Sequence, residues 1–212
     1  MNKRMDIFVW IVSILFIGVV FTFPDTIPVH WNVYNEVDGY GSRYIALIFA
    51  LLPLIVYYGM DLDKRLDPKK KVRENKEIFD VFRNGLTIFF MLMGSYFLMA
   101  MVYPELLKKV SIAFIFGIMF IGIGNYMPRI PQNYTLGVKT PWTLESEYVW
   151  NKTHRFSGYV FVLTGILTLL SAFADGFVSF VILMVSIILA CVFTLVYSYV
   201  LYKKEEKKND NN

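Results

Sequence analysis

Cysteine is nearly missing from this chain: Cys191 is the only one in 212 residues, and it lies inside an apolar run. An intramolecular disulfide is therefore excluded. Histidine is almost as scarce, with His30 and His154 alone. A zinc site needs three or four converging ligands, so neither a metal nor another cofactor is expected. No phosphate-binding glycine loop occurs, and no Cys or Ser sits in a nucleophile motif. Those absences speak against an ATP-driven pump and a hydrolase. Charge is also limited, at 18% of residues.

Hydrocarbon is what the chain has in quantity. Hydrophobic residues make up 56%, aromatics 17%, and mean hydropathy is +0.49. A soluble domain of this size must cover its core with polar surface and rarely reaches such values. Several runs approach the roughly 18–20 apolar residues that cross a bilayer as helix. The formal charge of +4 does not indicate direct nucleic-acid binding, because Lys and Arg cluster at the ends of apolar runs. That is the pattern of topology determinants.

The expected fold is all-α, a polytopic membrane protein forming a single integral domain over residues 1–212. Six spans are read at about 6–23, 44–60, 78–103, 110–126, 156–174 and 177–202. The first follows Lys3 and Arg4 but ends in Phe-Thr-Phe-Pro24 without a small-residue cleavage site, so it reads as an uncleaved span. Arg83, near the start of the third, is expected to snorkel at headgroup level. Spans five and six are joined by Asp175-Gly176, a tight hairpin. The glycines and alanines at 158, 165 and 172 on span five, and 113 and 117 on span four, suit close helix packing.

Alternate segments differ sharply in Lys and Arg: 17 fall on one side, 3 on the other, and Arg83 completes the 21. The positive-inside rule then places both termini in the cytoplasm. Loop 127–155 is cytoplasmic and loop 24–43 external. The charged segment 61–77 fits attraction to anionic membrane lipid, and the tail from Lys203 reads as a frayed, solvated end.

Two loops carry sequence-specific polar chemistry. The external one starts with Pro24 and Pro28, which resist helix, and closes with Gly39 and Gly41, which permit a turn. His30, Glu36 and Asp38 could meet a ligand, although hydrogen bonds that order the loop explain them as well. The cytoplasmic loop is extended through Pro128, Pro131 and Pro141. From Leu144 a helix is predicted, with Thr143 as N-cap and Glu145 and Glu147 on its first turns. Glu147, Trp150, Asn151 and His154 share one face of that helix. Trp150 and Trp142 suit anchors at the membrane interface, and the face equally suits a docking surface for a cytoplasmic protein.

The segment Gly124-Asn125-Tyr-Met-Pro128…Asn133…Gly137-Val-Lys139-Thr140-Pro141-Trp142-Thr143-Leu144…Val149-Trp150-Asn-Lys-Thr153-His154-Arg155…Gly158 resembles the signature of the SdpI-type immunity family. Those membrane proteins protect bacteria against the sporulation-delaying toxin peptide. Ile27-Pro28-Val-His30-Trp31-Asn32…Asp38-Gly39-Tyr40-Gly41 resembles a module often found at their N-terminus. Two departures stand out. Lys139 occupies a position where Arg is usual, weakening any bidentate contact. Asn35 replaces a common Gly, a change that the left-handed conformation tolerates.

The resemblance implies a multi-pass protein of the bacterial cell membrane that neutralises a secreted toxin peptide. It also implies a second role, holding a small winged-helix repressor at the cytoplasmic face when toxin is bound. The toxin-binding candidates are His30, Trp31, Asn32, Asp38 and Tyr40. The cytoplasmic partner-binding candidates are Asn125, Asn133, Lys139, Trp142, Glu147, Trp150, His154 and Arg155. Two competing readings remain. A peptide exporter is suggested by the Pro-bearing motifs after spans one and four, an order compatible with an inverted repeat. The lack of ionisable residues in the hydrocarbon core of any span opposes it. A membrane enzyme would have to use Glu147, His154 and Arg155, without a nucleophile.

Overall fold

The computed structural model describes residues 3–66, 76–105 and 111–210, without the side chains of 62–66. The order along the chain is helix α1 (Lys3–Phe21), strands β1 (Thr26–Trp31) and β2 (Val37–Ser42), α2 (Leu47–Leu66), α3 (Lys76–Val102), α4 (Ala113–Tyr126), α5 (Pro141–Glu145), α6 (Glu147–Ser171) and α7 (Gly176–Asp210). Most of the charged segment 61–77 lies outside the described residues, as do Lys108 and Lys109.

Among the described residues four helices, α1, α2 with the short turn before it, α3 and α7, are long and apolar enough to cross a membrane. Their outer faces carry Ile14, Leu15, Ile55, Leu92 and Ile188 in the open. Exposure on that scale suits contact with lipid and not with water. α4 is apolar but has 14 residues, short of a full crossing by itself. α6 has the length, at 25 residues, but its first turns are polar and its apolar part begins only at Phe156.

Two sets of helices pack side by side. α1, α2 and α3 form one, around Val9, Tyr57 and Met91 at one end and Val20, Phe23, Leu98 and Met101 at the other. α4, α6 and α7 form the second. Glycines let α4 and α6 touch backbone to backbone. A Cβ on Gly117 would lie 2.9 Å from the Gly165 carbonyl, and one on Gly165 would lie 2.7 Å from that of Gly117. Gly124 and Gly158 repeat the reciprocal contact at 2.7 and 2.8 Å. The pairing matches the small-residue packing expected of these helices. Between α6 and α7 the buried stripe is hydroxyl-rich: Thr164, Thr168 and Ser171 against Ser179, Ser186 and Thr194.

Several expectations need correction. Segment 24–43 forms a β-hairpin, so the chain is mostly helical but not all-α. Register shifts flank His30 in that ribbon. Arg83 does not snorkel. Its side chain is fully buried, with Nη1 3.0 Å from Asp61, Nη2 3.3 Å from Asp80 and its guanidinium 4.3 Å from the Tyr57 ring centroid. Two carboxylates and a π face compensate the charge better there than outward exposure would. A buried, compensated cation therefore sits near the start of a helix long and apolar enough to cross a membrane. The α6–α7 turn is Ala172–Asp175, with Gly176 already opening α7 and Asp175 Oδ1 accepting the Val178 N–H at 3.1 Å. The tail does not fray at Lys203, because α7 continues to Asp210.

Candidate functional site

The hairpin is built as a roof. At its base Arg43 donates to the Phe23 carbonyl at 2.9 Å and pairs with Asp25 at 3.3 Å. Ile27, wholly buried, packs with Phe23, Ala46, Leu98 and Met101 on the ends of α1–α3. The turn is organised by Asn32. Its Oδ1 accepts the N–H groups of Tyr34 (2.9 Å) and Glu36 (3.1 Å), and its Nδ2 donates to the Glu36 carboxylate at 3.1 Å. Asn35 follows at φ 60°, the left-handed conformation that Asn adopts at small cost. On the strands His30 Nδ1 lies 2.5 Å from Asp38 Oδ1. Gly39 opposite leaves room, since a Cβ there would come within 2.9 Å of the His30 Cβ. The polar residues of this segment thus engage one another, as the loop-ordering alternative anticipated.

The tip of the roof rests on the second set of helices. Tyr34 stacks on Phe177 with centroids 5.9 Å apart, and Asn35 Nδ2 lies 2.5 Å from where a Gly176 Cβ would be. Beneath is a cavity of about 520 Å³, walled by Phe49, Phe97, Ile112, Phe180 and Leu183, among others. Its polar features are few. Ser111 and Ser179 bond each other at 3.0 Å. Trp31 also lines the wall, and its indole N–H is buried with no acceptor among the described residues. An orphan donor of this kind costs about 1–3 kcal/mol until something accepts from it. The site suits an apolar occupant that brings one acceptor.

Of the residues expected to bind toxin, Trp31 and Asn32 reach this cavity, together with His30 at its edge. Asp38 and Tyr40 lie on the exposed strand β2, away from the lining. Sequence reasoning missed Ser111, Ser179 and Phe97. Nothing in their local pattern separates them from packing residues, because the hairpin reaches them only through the tertiary fold.

At the opposite end, the loop between α4 and α6 folds into a compact plug. Asn133, fully buried, accepts the N–H groups of Thr135 and Leu136 at 2.7 Å and donates to the carbonyls of Pro131 (2.7 Å) and Leu136 (3.1 Å). Lys139 Nζ donates to the Tyr134 and Thr135 carbonyls at 3.1 and 3.2 Å. A point charge serves this role, and the planar fork of Arg is not needed. Thr140, not Thr143, caps α5: its hydroxyl accepts the Thr143 N–H while the Thr143 hydroxyl accepts the Thr140 N–H, a reciprocal box. Ser146 then caps α6. Pro141 accounts for the difference, since it fits the first helical position and starts the helix three residues early.

Trp150 and His154 point inward, contrary to the expected docking face. Trp150 is fully buried and its indole N–H donates to the Ile130 carbonyl at 2.8 Å. His154, 1% exposed, donates from Nδ1 to the Trp150 carbonyl at 2.9 Å and accepts the Val138 N–H on Nε2 at 3.1 Å. Those two bonds require the neutral ring, and burial pushes its pKa down to about 4. Gly137 passes above at φ +111°, so close that a Cβ would collide with His154 Nε2. The physical reason for the inversion is the plug itself: Met127, Ile130, Leu136, Val138 and Leu144 need an apolar partner and find it in Trp150. Trp142 is also committed, donating to Ser198 on α7 at 2.8 Å and packing beside Tyr199 and Tyr202. Asn125 bonds back to the Ile121 carbonyl at 2.9 Å. Glu147, Asn151 and Arg155 stay exposed.

Comparison with known proteins fits both ends. The sequence pattern of the SdpI/YfhL protein family matches residues 129–198, which include most of the plug, α6 and much of α7. A domain of unknown function, DUF1648, matches residues 7–56, which contain the whole hairpin. The chain is 30% identical to the immunity protein SdpI of Bacillus subtilis (strain 168) over 182 residues, covering 85% of this chain and 86% of that protein. No solved structure matches.

Proposed function

The chain belongs to the SdpI/YfhL protein family, and from that premise we propose that it is a multi-pass membrane immunity protein that captures a secreted toxin peptide beneath its hairpin. The observation that carries this reading is the roofed cavity lined by Trp31, whose buried indole N–H has no acceptor among the described residues. An apolar stretch of peptide fills the cavity, and one of its backbone carbonyls accepts from Trp31. By sequence, the segments read as external carry Asp25, Glu36, Asp38, Glu105 and Asp175 against Arg43, Lys108 and Lys109. That balance favours a peptide that also carries positive charge.

In this reading the chain crosses the membrane six times. α4 and α6 supply the crossings whose length or polarity falls short in isolation. Both termini and the plug are cytoplasmic and the hairpin external, as the charge distribution indicates. The hairpin rests on both sets of helices, so a peptide that lifts its tip from Gly176 and Phe177 biases how the sets meet. It does so only by binding the lifted state more tightly. The plug, tied to α7 through Trp142, is the output. A cytoplasmic repressor would dock on its exposed residues Glu147, Asn151 and Arg155, while Trp150 and His154 hold the surface in shape.

The test is survival. Bacillus subtilis cells that lack their own SdpI, made to express this chain, are challenged with the sporulation-delaying toxin peptide. Protection by the wild-type chain and its loss in Trp31→Phe, at equal membrane abundance, are expected. Equal protection by Trp31→Phe removes the cavity from the account, and no protection by either removes immunity to this toxin.

A further inference from the structure

A second cavity, of about 440 Å³, lies between α3 and α4 and runs along α4 from Ile115 to Tyr126, toward the end away from the hairpin. Its walls are almost wholly hydrocarbon and aromatic, including Phe82, Phe89 and Met119, and Ile88, Leu92 and Ile118 on its lining are exposed. Two glycines hold it open. A Cβ added to Gly85 or to Gly122 would meet no atom within 4 Å, so neither glycine is there for close helix packing. At one end sits Tyr126, with the Arg129 guanidinium 5.3 Å from its ring centroid. Arg129 is exposed and forms no ion pair among the described residues.

The geometry points to a binding site for one anionic phospholipid, an acyl chain in the α3–α4 groove and its phosphate on Arg129. Water has no polar partner along these walls, whereas an acyl chain loses nothing by lying there. A phosphate can take two N–H groups from one guanidinium. A zwitterionic lipid brings its own cation beside Arg129 and gains less, so the site discriminates by headgroup charge. Leu136 of the plug closes the groove at this end, and buried Asn133 holds both its N–H and its carbonyl. The lipid therefore touches the plug that His154 and Trp150 organise, and braces it against α3. None of this depends on the toxin reading.

Native mass spectrometry of the full chain in detergent, offered phosphatidylglycerol or phosphatidylcholine, tests the site. The wild type should retain one phosphatidylglycerol and several-fold less phosphatidylcholine. Arg129→Gln should lower the first to the level of the second. Gly85→Leu with Gly122→Leu should abolish retention of both and leave the thermal unfolding midpoint unchanged, because the added side chains enter open space. Where that double variant does not purify in folded form, Gly122→Leu alone carries the same expectation. Excess glycerol phosphate should leave the lipid bound. Undiminished retention in the filled variant, equal retention of the two lipids by the wild type, or displacement by glycerol phosphate each overturns the proposal.

Discussion

The indole of Trp150 lies nearly flat on the imidazole of His154, with ring centroids 4.0 Å apart and an interplanar angle of 21°. Each residue anchors a different strand of the plug: Trp150 takes the Ile130 carbonyl and His154 takes the Val138 N–H. One helical turn of α6 thus fixes both ends of an otherwise irregular, proline-rich segment. The pair works as internal scaffold, and the surface around it inherits its shape.

That scaffold depends on pH. The folded-state pKa of His154 is lowered to about 4 from 6.5, so the unfolded chain binds more protons between those values. Stability from this group is complete above pH 6.5 and is lost as pH falls toward 4, by about 3 kcal/mol in all. His154→Gln keeps an acceptor for Val138 but cannot titrate in this window. Thermal unfolding from pH 7 to 4 should show a steep decline for the wild type and a shallower one for the variant. Parallel curves would assign the decline to other groups.

The α4–α6 crossing predicts a sharp contrast among glycines. Gly158→Val places a side chain against the Gly124 carbonyl and Pro128 and should cost several kcal/mol, in the range of severe overpacking. Gly59→Ala, where a Cβ meets nothing, should be neutral or slightly stabilising through helix propensity. Unfolding midpoints of purified protein give the comparison.

The Arg83 network predicts an asymmetry. Removing one partner in Asp61→Leu leaves a fully buried cation short of compensation and should cost about 3 kcal/mol. Arg83→Met leaves carboxylates that still reach water, 25% and 28% exposed, and should cost less. Combining the two should recover much of the loss from Asp61→Leu. Equal costs for the single variants would mean that the charge is not the issue.

How legible these features were in the sequence depended on range. The apolar runs announced the long helices because each satisfies its own backbone. The Asn35 substitution marked a left-handed turn because that preference is local. The hairpin leaves no clear strand signal in the sequence, since Trp31 and Val37 pair across a turn with bulges at His30 that break strict alternation. The inward turn of Trp150 and His154 was not legible either. Three- and four-residue spacing says that they share a face, but the plug that covers this face is assembled from Met127, Ile130 and Leu136 through tertiary contacts. The burial of Arg83 is hidden from the sequence for a related reason: its partners Asp61 and Tyr57 come from another helix. The cavity under the hairpin has no sequence signal of its own, being a space left between residues as distant as Trp31 and Ser179.

The central claim is that toxin is captured under a hairpin whose tip must leave α7. Asn35→Cys combined with Gly176→Cys, in a Cys191→Ser background, would join the tip to α7 by a disulfide where the two residues already touch. Survival under toxin challenge is then measured with the disulfide formed and after its reduction. The account predicts sensitivity when the bridge is closed and full protection once it is reduced. Protection that is complete with the bridge closed would contradict it.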